Sequence, residues 1–356
     1  MIDLDMLRRR IDSIDLELLR LIHDRVETAI QTKKFKHSIQ DKQREEELLK
    51  LRKELMDLFP LIPGDFIKFL FQELIKVCCK YQAEEKILIG FQGEHGAYGE
   101  TAARQYKPDS VTVPYPQFED IFEEVENGHI DMGIIPVENS IGGSVTQVNE
   151  LLNQTKLKPA AGISMRITHC FMARKETDYR ELRTVYSHPQ ALMQCRDFLR
   201  RHDLKPVSFY DTAGAARMLA HSNSRTAGVI ANRVCAQLYG LSIIKEHVED
   251  HPENYTRFLV VSGKENLQDT NKCSIIFSLP NRSGALFSVL KVFSDAKINL
   301  SRIESFTDRS NPGTYSFFLD FECKGSQEIT DDVLKAVKQK TLRFHSLGCY
   351  REVRYQ

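Results

Sequence analysis

The sequence predicts a multidomain protein: an all-α module first, then an α/β module of two lobes, then a ferredoxin-like βαββαβ module. Three observations predict this. Over residues 1–83 apolar positions recur three and four apart, the helical period. From Lys86 the apolar residues gather into short runs separated by helical stretches, which argues strands joined by helices. The polar stretch KENLQDTN (264–271) reads as a linker, and beyond it the runs fall in the order strand, helix, strand, strand, helix, strand.

In the first module, Leu4, Leu7, Ile11, Ile14, Leu18 and Leu21 form the stripe of one long amphipathic helix. Leu48, Leu51, Leu55 and Leu58 form a second stripe, stopped by Pro60 and Pro63, and Ile67, Phe71, Leu74 and Cys78 form a third. So thin a helical layer is expected to bury its core by dimerising. In the middle module, residues 87–263, the runs ILIGF, VTVPY, DMGIIPV, RTVYS and AGVIA alternate with stretches such as FEDIFEEVENG and TAGAARMLAHS. That pattern argues parallel strands, in two small lobes with a cleft between them. The third module, residues 272–350, runs through CSIIFSL, GALFSVLKVFSDA, INLSRIESF, TYSFFLDFE, ITDDVLKAVKQK and LRFHSLGC.

Composition narrows the function. Lys plus Arg and Asp plus Glu are 49 each among 356 residues, so no global field favours nucleic acid or an anionic membrane. Local clusters must therefore explain any anionic ligand. No apolar run is long enough to span a bilayer, and the charged N-terminus lacks the apolar core of a signal peptide. Eight cysteines without a C-x-x-C pair read as reduced thiols of a cytoplasmic protein. With no ligand cluster and no dinucleotide loop, neither a metal nor a cofactor is expected.

The helical stripes carry polar residues on their packing faces. Continuing the first stripe gives Arg25, Thr28 or Ala29, Thr32 and Lys36; Arg44 precedes Leu48 by four residues, and Gln82 follows Cys78 by four. Such side chains can snorkel at the ends of apolar stripes. A buried cation is costly unless paired, however, and three matching seams suggest a pocket for a multiply charged anion. On LRRRI with Arg8, HDR with Arg25, Lys36, D-x-x-RE with Asp41, Arg44 and Glu45, and the closing Gln82, residues 1–83 resemble chorismate mutase of the all-helical class. The resemblance implies rearrangement of chorismate to prephenate. Lys36 and Gln82 would donate to the ether oxygen, Arg25 and Arg44 would clamp the carboxylates, Glu45 would meet the substrate hydroxyl, and Arg8 would reach in from a partner subunit. Asp41 and Cys78 would be further substrate contacts, with Cys78 standing where that family usually has serine. A rearrangement within one molecule needs confinement and charge stabilisation, not a nucleophile.

Three stretches of the middle module put hydroxyls and amides at strand ends, where ligands bind in open α/β sheets: PVENSIGG (136–143), SHPQALMQC (187–195) and NYTRF (254–258). Glu138, Asn139 and Ser140 precede a glycine pair and a helix start, which reads as an anion site or a capped turn. Ser187 and Gln194 flank another helix start, with Ser187 a helix cap or a ligand; His188, before a proline, reads as a turn residue. On the residues alone Thr256 is by default a structural hydroxyl. Arg257 is a carboxylate ligand or a surface residue, and Phe258 lines a cleft or packs in the core. Together with GFQGEHGAYGETAA (90–103) these stretches resemble prephenate dehydratase, with Gly99 where relatives usually carry serine or threonine. The resemblance implies a bilobal fold similar to periplasmic binding proteins. It also implies a reaction that turns prephenate into phenylpyruvate, with Thr256 donating to the leaving oxygen and the other residues named binding substrate.

The third module resembles an ACT domain, a regulatory module that binds amino acids. Gly284, Ala285, Leu286, Glu304 and Ser305 match its phenylalanine-binding stretches, and Phe306–Thr307 stand in place of Arg-Pro. The order of the three modules resembles the bifunctional chorismate mutase/prephenate dehydratase family of phenylalanine biosynthesis. That implies chorismate and prephenate as substrates, phenylalanine as effector and a homodimer or larger homo-oligomer. Two other readings stand beside it: an arogenate dehydratase with a mutase-like dimerisation module, and a noncatalytic amino-acid sensor. The attached mutase module favours prephenate over arogenate.

Overall fold

In the computed structural model, residues 3–35, 47, 50, 58–175, 177–264, 269–307, 315–323 and 327–355 are described. Helix α1 (Leu4–Gln31) opens on Asp3, whose carboxylate accepts the Met6 N–H, and ends in the 3-10 turn Thr32–Phe35. Helix α2 (Gly64–Ala83) packs on its C-terminal part, burying Ile30, Leu74 and Cys78. The N-terminal stripe of α1, from Leu4 to Leu21, is exposed at all six positions. Most of the second predicted stripe lies outside the described residues.

The first lobe of the middle module contains β1 (Leu88–Gln92), α3 (Tyr98–Tyr106), β2 (Val111–Tyr115), α4 (Phe118–Glu126), β3 (Met132–Asn139), β4 (Gly143–Ser144), α5 (Thr146–Gln154) and β5 (Lys158–Arg166). The second contains β6 (Cys170–Arg174), β7 (Thr184–Ser187), α6 (Pro189–Gln194), α7 (Arg196–Arg201), β8 (Lys205–Ser208), α8 (Thr212–His221), β9 (Ala227–Ala231), α9 (Val234–Tyr239) and β10 (Leu241–Lys245). Strand β11 (Tyr255–Ser262) returns to the first lobe, so the chain crosses between lobes twice. The terminal module is β12 (Lys272–Ser278), α10 (Ala285–Asp295), β13 (Leu300–Thr307), β14 (Tyr315–Glu322), α11 (Gln327–Lys338) and β15 (Arg343–Tyr355).

The second lobe has its own sheet, β10-β6-β9-β7-β8. The first lobe and the terminal module share one, in the order β13-β14-β12-β15-β5-β11-β3-β1-β2, with β4 on β3. The seam is β15. Its first half pairs with β12, and Arg351–Tyr355 pair in parallel with β5. The predicted strand stops at Cys349; the charges at Arg351, Glu352 and Arg354 conceal its continuation along the open edge of β5. The parallel strands expected in the middle module are only part of what is found. β2 and β3 flank β1 in parallel and β7 joins β8 and β9 in parallel, but β11 runs antiparallel to both β3 and β5. Re-entry from the second lobe brings β11 in from the opposite end.

One expectation about cysteine is corrected. Cys273 and Cys349, 76 residues apart in sequence, are cross-strand partners on β12 and β15 with Cα atoms 4.0 Å apart, and they form a disulfide. The six other cysteines take no part in a disulfide. Among the described residues no helix is long and apolar enough to cross a membrane.

Helix α1 is tied to the middle module by buried charge. Glu27 lies 3.2 Å from His95 Nε2, and His95 Nδ1 lies 3.1 Å from Glu100, which also accepts the Gly96 N–H at 2.7 Å and pairs with Arg104. Burial alone would depress the His95 pKa, but the carboxylates of Glu100 and Glu27 outweigh it and raise it to about 10. Burial would raise that of Glu100, and His95 with the Gly96 N–H and Arg104 lowers it to about 2. A group whose folded pKa is raised stabilises the fold fully below its unfolded value, and that stability is lost as pH climbs through the folded one. His95→Gln is therefore expected to destabilise most below pH 6.5, with the difference from wild type shrinking as pH rises toward about 10. Chemical denaturation across that range checks it; a difference that does not change with pH contradicts the charge pairing.

Candidate active site

Strands β11 and β3 meet in a register that decides what faces the cleft. Arg257 pairs with Glu138 and Phe258 with Pro136, so Val137 is an extra residue on β3, a β-bulge. Before the bulge Ile134 and Pro136 face the cleft; after it Asn139 does, and Glu138 turns to the far side. On β11, which has no bulge here, Thr256 and Phe258 share the cleft face because strand side chains alternate.

Between the lobes lies a cavity of 420 Å³ whose lining includes Thr256, Asn139, Gln194, His169, Tyr98 and Phe258. Several of its polar groups form one chain of hydrogen bonds. Asn139 Nδ2 donates to Thr256 Oγ at 3.0 Å and to Asn254 Oδ1 at 2.8 Å. Asn139 Oδ1 accepts from the N–H groups of Ile141 and Gly142, and from Gln194 Nε2 at 3.0 Å. The positive φ of Gly143 (+74°) closes this turn. Gln194 Oε1 accepts from Asn254 Nδ2 at 3.1 Å and lies 2.9 Å from His169 Nε2. Since the Gln194 amide nitrogen is committed to Asn139, His169 donates from Nε2, and its Nδ1 faces the Tyr98 hydroxyl at 2.8 Å. Burial lowers the His169 pKa, which keeps the ring neutral at pH 7.

Two properties of the cavity are chemical. Thr256 Oγ accepts from Asn139, and among the described residues its own O–H meets no acceptor, so the hydrogen is free to point into the cleft. No lysine or arginine lines the cavity among the described residues.

Several residues expected at substrate stand elsewhere. Arg257 is buried on the opposite face of β11, bound to Asp320 and Glu352 of the terminal module. Glu138 faces the same side, 3.7 Å from Arg302. The bulge and the alternation of β11 account for both. Ser140 is exposed and tied to Glu253 and Tyr255. The fully buried Ser187 donates to the Ile230 carbonyl at 2.5 Å, and His188, not Ser187, caps α6. Conversely, His169, Tyr98 and Asn254 belong to the network without having been singled out: Tyr98 and Asn254 lie inside the stretches GFQGEHGAYGETAA and NYTRF, while His169 is one histidine between apolar runs.

In the helical module, Arg25 Nη1 lies 3.1 Å from Cys78 Sγ, and the buried Gln82 donates to the Ala29 carbonyl and, at 2.9 Å, to Thr32 Oγ. The seam thus brings Arg25, Thr32, Cys78 and Gln82 together. Arg8, exposed and paired with Asp5, lies seventeen helical positions before Arg25, about 25 Å at 1.5 Å per residue. Lys36, Asp41, Arg44 and Glu45 lie outside the described residues. In the terminal module Gly284 takes a left-handed conformation (φ +79°) just before α10, which Ala285 and Leu286 begin. Glu304 on β13 faces Arg302 and Ser144, while Ser305 is exposed.

Comparison with known proteins agrees with this division. Residues 7–83 match the family model chorismate mutase type II, 89–266 match prephenate dehydratase, and 274–339 match the ACT domain. A bifunctional chorismate mutase/prephenate dehydratase of Aquifex aeolicus is 32% identical over 98% of this chain and 98% of its own. Arogenate dehydratase/prephenate dehydratase 2 of Arabidopsis thaliana is 35% identical over 74% of this chain and 73% of its own. Among solved structures, a prephenate dehydratase from Arthrobacter aurescens in complex with L-Phe superposes with a TM-score of 0.69 at 26% identity, covering 74% of this chain and 90% of that one. From its first helix to its last strand, the chain belongs to the bifunctional chorismate mutase/prephenate dehydratase family.

Proposed function

We propose that the cavity between the lobes is where prephenate becomes phenylpyruvate and that Thr256 serves the departing hydroxide. The observation that carries this is the hydrogen bond from Asn139 to Thr256 Oγ, which occupies the oxygen as acceptor and leaves its hydrogen to donate. In the reaction the bond from ring to carboxylate breaks, and its electron pair enters the ring as carbon dioxide leaves. The bond to the ring hydroxyl breaks at the opposite carbon, and hydroxide departs as water once it gains a proton. A lining without cations suits the first event, because no salt bridge holds the ring carboxylate in its charged form. The side-chain carboxylate is then left to neutral donors of the lining such as Gln190.

The helical seam is the chorismate site, completed by a second copy of the chain. Arg25 and Gln82 supply donors beside Cys78, and the roles of Lys36, Asp41, Arg44 and Glu45, outside the described residues, are those the resemblance implies. In this reading Gln82 exchanges its bond to Thr32 for one to the substrate's ether oxygen. The separation of Arg8 from Arg25 favours a pocket built from two subunits, and the exposed stripe Leu4, Leu7, Ile11, Ile14, Leu18 and Leu21 is the surface that joins them. Gly284, Ala285, Leu286, Glu304 and Ser305 serve phenylalanine, whose complex with the Arthrobacter relative supports the assignment.

Five outcomes are expected. Given chorismate, wild type yields phenylpyruvate. Thr256→Ala lowers that yield about 10²–10³-fold and lets prephenate accumulate; Gln82→Ala leaves chorismate unconverted and still turns added prephenate into phenylpyruvate; loss of both activities in either variant contradicts separate sites. Ile11→Asp gives monomers by light scattering and loses chorismate turnover while prephenate turnover persists; a fully active monomer excludes the shared pocket. Titration calorimetry with phenylalanine gives a binding isotherm, and no heat at millimolar ligand removes the effector assignment.

A further inference from the structure

Consecutive residues of β11 look in opposite directions. Thr256 faces the cavity; Arg257 faces the terminal module, where its guanidinium is held on three sides. Nη1 binds Asp320 of β14, Nε binds Glu352 of β15 at 2.7 Å, and Nη2 donates to the Tyr350 hydroxyl of β15. Asp320, fully buried, also accepts from Ser274 of β12, and Lys272 of β12 joins Glu352 at 2.8 Å. Three strands of the regulatory module thus converge on one side chain. A second grip falls on β3. Arg302 of β13, 8% exposed, donates to the carbonyl of Val137, the bulge residue itself, at 3.2 Å and sits 3.7 Å from Glu138. The module therefore holds the residue beside Thr256 on one strand, and on the other the bulge that turns Asn139 toward it.

We propose that Arg257 is a positioning residue for the dehydratase step: through it and through Arg302 on the Val137 bulge, the regulatory module sets the relative placement of Thr256 and Asn139 without touching substrate. This rests on the reading of the cavity as the dehydratase site. The lever is short, because adjacent Cα atoms are about 3.8 Å apart and a shift of Arg257 is carried into the next peptide. The grip is also demanding, because a buried arginine deprived of one partner leaves an uncompensated charge or donor. Any event that alters β12, β14 or β15, an effector included, therefore reaches the leaving-group donor through the backbone of β11.

The test uses the full-length protein with Arg257→Lys, which keeps the charge and loses the fork, and Tyr350→Phe, which removes one hydrogen bond and keeps the shape. Prephenate kcat and KM, chorismate turnover and the thermal midpoint are measured for each. The expected result is a fall in prephenate kcat of about tenfold with KM and chorismate turnover unchanged. A raised KM with kcat intact overturns the proposal and returns Arg257 to substrate binding. A lowered thermal midpoint with kcat and KM both intact also overturns it, leaving a clamp between modules. Should Arg257→Lys not fold, Tyr350→Phe alone decides between these results. Wild type that makes no phenylpyruvate from prephenate would sink the dehydratase reading itself, and this proposal with it.

Discussion

The pairing of β11 with β3, offset by one extra residue at Val137, is the constraint on which the dehydratase cleft depends. Strand β11 lies between β5 and β3, with Leu259, Val260 and Val261 fully buried beyond Thr256. These side chains pack alternately into the two cores on either face, and a slip of one residue would turn Arg257 toward the cleft and Thr256 toward the terminal module, away from the partners each now meets. The bulge then does for β3 what a regular ladder cannot. It brings an amide, not a carboxylate, opposite the threonine hydroxyl. A carboxylate at that place would accept the threonine hydrogen; the asparagine Nδ2 donates instead and leaves that hydrogen available.

The two sites of the chain solve opposite electrostatic problems. In the proposed assignment the helical seam, where Arg25, Thr32, Cys78 and Gln82 come together, serves a substrate that stays doubly charged throughout its rearrangement. The cleft carries amides, hydroxyls, two histidines and the carboxyl group of Asp211, and in the proposed assignment its substrate gives up a carboxylate as carbon dioxide. They also share a structural border. His95, which pairs with Glu27 of α1, lies in the loop that leads into α3, whose first residues Tyr98 and Gly99 line the cleft. Helix α1 thus abuts the loop that leads into one wall of the cavity.

Much of this was legible in the sequence. Helical period, strand runs and the final strand and helix order divided the chain, and the hydroxyls and amides at three strand ends pointed to the cleft. What was not legible turns on which of two neighbouring residues faces inward. Arg257 and Glu138 stand in the right motifs on the wrong faces, because alternation and a bulge are properties of pairing and not of either strand alone. Ser187 looked like a cap or ligand, yet its hydroxyl is spent on the Ile230 carbonyl of the neighbouring strand. His169 gave no sign, being one histidine between apolar runs. The Cys273–Cys349 bond and the merger of β15 with β5 join distant segments and leave no local pattern.

A crystal structure of the full-length protein with phenylpyruvate bound in the cleft measures the central relation directly. The ring carbon that lost hydroxide should lie within van der Waals reach of Thr256 Oγ, with Asn139 Nδ2 still donating to that oxygen. A ring turned so that this carbon faces away from Thr256, or a Thr256 hydroxyl donating to a backbone carbonyl, would contradict the placement of the leaving-group donor.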